Sequence, residues 1–271
     1  MPPDFSRRSL ELERLDTGDY TPEEYERCLA ELRRVNRWMG DAGALRRSVL
    51  TEIGRDGGRD GGRDGGREFS LLDVGAGSGE LLREVARWAR GRKMRARLVA
   101  LELNERAARA ALEESAGYPE VSAVRADALR MPFADGAFDY VMCSLITHHF
   151  ADEGVVRLLS EMARVARRRV FAIDLRRSRG AYLLYTTAGR LVVRSPMVRA
   201  DGALSILRGF ADGELRQLAE RAGLARPRVR RRLPFRLVLS AEPGERAKRG
   251  KGERVKEERA EAGESVGATA G

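Results

Sequence analysis

Residues 69–80 read FSLLDVGAGSGE, an apolar run that closes on an acid and then places glycine at every second position. Phe69, Leu71, Leu72 and Val74 are apolar enough for an interior strand of a parallel sheet. Gly75, Gly77 and Gly79 let the backbone turn sharply and lie against a ligand, and Leu81, Leu82, Val85 and Trp88 then follow helical spacing. Strand, tight loop and helix start, in that order, predict a nucleotide-like ligand at the carboxyl end of the strand. The spacing departs from the dinucleotide pattern G-x-G-x-x-G, because the third glycine falls one residue early and Glu80 stands where that pattern needs glycine. Asp73 suits a ligand bearing an amino or sulfonium group and would sit poorly beside a pyrophosphate.

At 271 residues and 42% hydrophobic content the chain can build one sizeable α/β domain with appendages. The formal charge of +10 comes almost wholly from arginine, since lysine occurs only at Lys93, Lys248, Lys251 and Lys256. A general basic surface attracts nucleic acid without making it the substrate, so no specific nucleic-acid partner is expected. Cys28 and Cys143 make no disulfide framework, and histidines and acids are not clustered with ligand spacing, so no metal is expected. A reducing cytoplasm fits, and no run has the length of a signal peptide or a transmembrane segment.

Residues 1–53 read as an N-terminal helical cap, clearest at Thr21-Pro22-Glu23-Glu24, which offers an N-cap, a proline at the first helical position and a capping-box acid. Residues 54–67 alternate glycine with arginine and aspartate, have nothing apolar to bury, and read as a flexible linker. The main domain follows at 68–241. Its second strand, 97–101, ends at Glu102, placed to accept from two ribose hydroxyls; a third spans 121–125, a fourth 138–144 and a fifth 170–175. Helices are expected at 80–90, 104–114 and 155–165, with Arg167, Arg168 and Arg169 at the end of the last. The only two histidines, His148 and His149, follow the fourth strand at the edge where doubly wound sheets carry their chemistry. Residues 176–209 read as an insertion, 210–223 as a helix, and 226–232 with 234–240 as a closing antiparallel hairpin whose alternating arginines suit an edge strand. Residues 242–271 balance acids with bases and read as a disordered tail.

The glycine loop, Glu102, the 126–139 stretch with Asp127, Met131-Pro132-Phe133 and Phe138-Asp139, and the histidine pair together resemble the class I S-adenosylmethionine-dependent methyltransferases, more narrowly the ubiquinone and menaquinone biosynthesis group. The resemblance covers roughly residues 69–240 and implies a Rossmann-like, doubly wound, mostly parallel seven-stranded sheet. It implies S-adenosylmethionine held by Asp73, Gly75, Ala76, Gly77, Gly79, Glu102, Leu103, Asp127, Ala128, Leu129 and Ser144. Asp127 would accept from the adenine amino group, and His148 or His149 would either take a proton during methyl transfer or shape the pocket. Residues 176–209 would form a lid over a hydrophobic or aromatic acceptor, a polyketide or quinone-like compound; Tyr25 and Trp38 would contact it or pack as core residues, and Arg208 would bind its carboxylate or phenolate or make a salt bridge within the lid. Two alternatives stay open: a nucleic-acid or protein methyltransferase, against which the lack of an Asn/Asp-Pro-Pro-Tyr-type motif after the fourth strand argues, and a protein that binds the cofactor without turnover.

Overall fold

The structure, a computed structural model, describes residues 3–18, 20–21, 23–24, 27–28, 31, 40–56, 59–60 and 67–244. Seven longer strands build one sheet: β1 (Arg67–Val74), β2 (Arg95–Glu102), β3 (Val121–Arg125), β4 (Phe138–Ser144), β5 (Ala166–Leu175), β6 (Leu224–Arg232) and β7 (Arg236–Pro243). Their order is β3-β2-β1-β4-β5-β7-β6, parallel from β3 to β5, with β7 antiparallel to β5 and β6 antiparallel to β7. A two-residue strand, Arg59–Asp60, pairs with the start of β1. The direction in which strands are added reverses between β1 and β4, and Asp73 lies in register with Ala100 on one side and Met142 on the other. Such a reversal is where doubly wound sheets bind ligands at the carboxyl edge, and Asp73, Glu102, Ser144 and Asp174 each stand last or next to last in their strands.

Successive strand residues point to opposite faces, so Leu71 and Leu72 feed two separate cores. On one face Leu71, Leu98, Tyr140 and Phe171 pack with Leu45 and Ile53 and with Leu82 and Val85 of the helix Glu80–Gly91. On the other, Leu72, Val141 and Val170 pack with Leu158 and Met162 of Asp152–Val165 and with Leu215 of Asp212–Arg221. Each fully buried Leu, Val or Phe contributes about 1.5–3 kcal/mol, which is what fixes the register of the sheet. The helix Glu105–Glu114 starts on Asn104, whose side chain accepts from the backbone N–H of Arg106 and Ala107, a cap worth about 1 kcal/mol. At the opposite edge Asp139 is fully buried; it accepts from the N–H and hydroxyl of Ser70 and from Arg167. The Phe-Asp pair at the head of β4 therefore pins β4 to β1.

Several boundaries differ from the sequence expectation. Arg167, Arg168 and Arg169 do not end a helix: β5 starts at Ala166, and Arg167 reaches Asp139 while Arg169 reaches Asp56. The carboxylates that meet them lie across the sheet edge, which no local pattern encodes. The helix Leu50–Asp56 continues past residue 53, the short strand Arg59–Asp60 falls within the stretch read as a linker, and β7 runs to Pro243, past 241. Residues 61–66 and 245–271 lie outside the described residues. Residues 4–12 are extended or bent rather than helical, and the helix that follows is only Arg14–Thr17. The segment is held by tertiary bonds: Ser9 N–H donates to Leu207 O, Arg177 donates to Phe5 O, and Asp201 accepts from the N–H of Arg14 and Leu15. The Thr21–Glu24 capping box is present, with both reciprocal bonds formed. The insertion at 176–209 is helical, over Arg179–Thr187, Gly189–Val192 and Pro196–Arg208.

Candidate active site

The turn after β1 has φ of 71°, 54° and 75° at Gly75, Gly77 and Gly79, backbone that side-chain-bearing residues rarely adopt. A Cβ on Gly75 would stand 2.6 Å from Ile146 Cδ1, so the glycine loop lies against the loop that carries the histidines. A Cβ on Gly77 would meet nothing within 4 Å, which leaves its surface open. Glu102 braces the turn, with Oε2 accepting from Gly77 N–H at 3.0 Å and Oε1 from Asn104 N–H at 3.0 Å. Asp73 is 2% exposed and its Oδ1 has no hydrogen-bond partner, the kind of buried polar atom that native proteins rarely leave. Burial, reinforced by the charge of Glu102, raises its pKa to about 8. Farther along the edge Leu103 is 63% exposed beside Glu102, Asp127 Oδ1 accepts from Leu129 N–H, and Ala128 is buried. Ala76 and Ser144 are half-buried.

After β4 the chain turns through Leu145, at φ 55°, into a single 3-10 turn, Thr147–His149. Asp174, at the end of β5, organises this turn. Its carboxylate accepts from the Thr147 hydroxyl, from His148 N–H at 3.2 Å and from Leu175 N–H at 2.6 Å, and lies 2.6 Å from His148 Nδ1. Burial pushes the Asp174 pKa up, but the His148 ring and these donors hold it well below the usual carboxylate range. With Nδ1–H donating to Asp174, the buried His148 presents Nε2 as the ring's accepting atom. That Nε2 faces Glu13 Oε1 at 3.8 Å. His149 stacks on His148 with ring centroids 4.3 Å apart, and its Nδ1 lies 2.8 Å from Asp16. Burial lowers the His149 pKa, but the Asp16 bond and the charges of Glu13 and Asp16 outweigh it, so the net shift is upward.

Arg208, read as a substrate contact or a salt bridge within the lid, is turned to protein acceptors. Its guanidinium donates to His148 O at 3.0 Å, His149 O at 2.6 Å, Glu11 O at 2.9 Å and Asp16 at 2.7 Å. Arg8 grips the same turn from the N-terminal side, donating to Phe150 O and Arg208 O while its cation lies 4.1 Å above the Phe210 ring. Tyr25 and Trp38 lie outside the described residues. Glu13 and Asp16, which the sequence reading passes over, reach the histidines beside Asp174; their only signal is the run of acids at 11, 13 and 16 in ELERLD. No metal was expected, yet Glu13, His148 and His149 bring one ligand atom each to within 4.8 Å of one another.

The strand order and the glycine turn at its switch point define a Rossmann-like methyltransferase fold. Residues 71–169 match the family model described as a methyltransferase domain, and no curated protein matches the chain. Among solved structures, a SAM-dependent methyltransferase from Aquifex aeolicus is similar at 18% identity and TM-score 0.52, over 79% of this chain and 97% of that one. A putative O-methyltransferase from Nostoc punctiforme is similar at 15% identity and TM-score 0.55, over 79% of this chain and 59% of that one. Magnesium protoporphyrin IX methyltransferase from Synechocystis, solved with bound SAH, is similar at 18% identity and TM-score 0.52, over 81% and 92%. The chain thus carries, over residues 71–169, a match to a methyltransferase domain, and it has the fold of S-adenosylmethionine-dependent methyltransferases. The edge fits that cofactor: an acid with an orphaned buried oxygen precedes an open glycine turn, and a second acid follows on the neighbouring strand. Among the described residues no helix is long and apolar enough to cross a membrane.

Proposed function

We propose that this methyltransferase acts on a small hydrophobic or aromatic acceptor, methylating an oxygen or an acidic carbon that loses its proton at the His148–His149 edge. S-adenosylmethionine supplies the electrophilic sulfonium methyl. Asp73 would hold its amino group and Glu102 its ribose hydroxyls. Asp127 with Ala128 would take the adenine edge, and Leu103 and Leu129 would cover the ring. Gly75, Ala76, Gly77 and Gly79 would give the backbone approach, with Ser144 at the next strand end. Much of the rate would come from holding donor and nucleophile in line.

The observation that carries the reading is the buried Asp174–His148 pair at the edge adjoining the glycine turn. A carboxylate that fixes the ring and leaves one nitrogen accepting is the arrangement general-base chemistry needs. The apolar acceptor is supported by the 176–209 helices, where Leu183, Leu184 and Leu191 are 63%, 52% and 88% exposed. Between those helices lies an open hollow lined by Tyr185, Thr186, Pro196, Arg199 and Ala200. These helices would serve as the lid. Among the similar structures, magnesium protoporphyrin IX methyltransferase and a citrinin polyketide synthase methyltransferase domain have names that refer to small molecules.

The test is a screen with methyl-labelled S-adenosylmethionine against phenols, hydroxyquinones and β-dicarbonyl compounds, run beside RNA and basic peptides. Label transfer to the small acceptors is expected. Transfer only to RNA or peptide, or saturable cofactor binding with no transfer to anything, would contradict the reading.

A further inference from the structure

We propose that Glu13, His148 and His149 form a site for a divalent transition-metal ion that ligates the acceptor's oxygen. The proposal rests on the reading that the acceptor is deprotonated at this edge, and supplies the means.

The three side chains come from two distant stretches, the N-terminal segment and the turn after β4, and offer two nitrogens and one carboxylate oxygen within 4.8 Å of one another. Ligands at about 2.0–2.2 Å from one ion stand roughly 3–3.5 Å apart, so the 3.8 Å between His148 Nε2 and Glu13 Oε1 needs only a small side-chain adjustment. Two histidines and one carboxylate leave coordination positions open, which suits an ion that binds substrate.

The surroundings are those of ligating histidines. Each ring is tied at Nδ1 to its own carboxylate, His148 to Asp174 at 2.6 Å and His149 to Asp16 at 2.8 Å. This carboxylate–histidine pairing fixes the tautomer and leaves Nε2 for a ligand. Glu13 is 3% exposed, and its Oε1 accepts from the Ser205 hydroxyl at 2.8 Å. The nearest cation is Arg208, 4.0 Å from Glu13 and paired with Asp16. Glu13, Asp16, Asp174 and the Arg8 partner Asp152, counted against Arg208 and Arg8, leave an excess of two negative charges when both rings are neutral, which a dication balances.

An ion here would lower the pKa of a ligated hydroxyl or enol, so that the acceptor binds as its oxyanion and the proton passes to water. For an O-methyl acceptor, the new bond forms from this oxygen to the methyl carbon as the methyl–sulfonium bond breaks, its electron pair remaining on sulfur.

The experiment is titration of the tag-free, chelator-stripped full chain with Co²⁺, read by its visible absorption, and with Zn²⁺ by calorimetry. One ion per chain is expected, with affinity lost at least tenfold in Glu13→Gln and His149→Ala and reduced about 10–100-fold in Asp174→Asn. Affinity of each variant for S-adenosylmethionine, kept at the wild-type value, shows that the fold survives. No stoichiometric binding to the wild type, or wild-type affinity in both Glu13→Gln and His149→Ala, overturns the site. Full methyl transfer by the stripped enzyme, unchanged on adding metal, overturns the ion's part while leaving deprotonation by the bare imidazole standing. Loss of that wider reading would show instead as undiminished transfer by His148→Ala.

Discussion

Asp174 Oδ1 lies 2.6 Å from His148 Nδ1, and both groups are buried at the carboxyl ends of adjacent parallel strands. The pair decides which ring nitrogen faces the site. Asp174→Asn keeps the shape but offers an amide where the ring needs an acceptor. Turnover should fall by about 10²–10⁴-fold, the usual range for a positioned proton acceptor, with cofactor affinity unchanged. Steady-state rates beside calorimetric cofactor titration check both halves, and loss of cofactor affinity would place Asp174 in the binding site instead.

Asp73 links cofactor binding to stability. Its folded pKa is raised by burial and by Glu102 to about 8 from an ordinary 3.8. Between those values the folded protein holds a proton that the unfolded chain has released, so the stability this proton provides is full at acid pH and is lost as pH rises toward 8. Asp73→Asn removes the titrating group. Without cofactor, its melting temperature should exceed that of the wild type by a margin that widens from pH 5 to pH 8, while its affinity for S-adenosylmethionine falls. Differential scanning calorimetry across that window measures the margin; a constant difference would show that Asp73 does not carry the proton.

Glu102 accepts from Gly77 and Asn104 and so supports the turn as well as any ribose. Hydrogen bonds to a charged group are worth about 1.5–3 kcal/mol. Glu102→Ala should therefore weaken cofactor binding about 10–100-fold, and Glu102→Gln by less. Equal affinity in both variants and the wild type, by calorimetry, would move the ribose elsewhere.

The strands β1, β2, β4 and β7 and the later part of β5 were legible because each carries an apolar run, and β6 because its arginines alternate along an edge. The glycine turn and the histidine pair were legible because residue type and position suffice there. Glu13 and Asp16 were not, since the segment carrying them has no period of its own and is placed by its own Arg8 reaching Arg208 O and by Asp201 and Arg208 from far along the chain. Arg208 left two readings open for the same reason: an arginine in a pocket-side helix reads as a ligand contact or as an ion pair until its four acceptors are seen. The start of β5 was hidden because its arginines find their carboxylates only across the sheet.

Arg208 is a buried cation that ties the N-terminal segment to the histidine turn. Arg208→Met should destabilise the protein by about 3–5 kcal/mol, because Asp16 and the carbonyls of His148 and His149 lose their donor together. Arg208→Lys should recover little, since one ammonium cannot reach acceptors spread over a planar fork. Urea denaturation gives the comparison, and a cost under 1 kcal/mol would show that the segment is held by its other bonds.

The most direct measurement sets two quantities of His148→Ala side by side: its dissociation constant for S-adenosylmethionine and its rate of methyl transfer to an acceptor found in the screen. The account predicts a wild-type dissociation constant with transfer reduced at least a hundredfold. Transfer at the wild-type rate would contradict it.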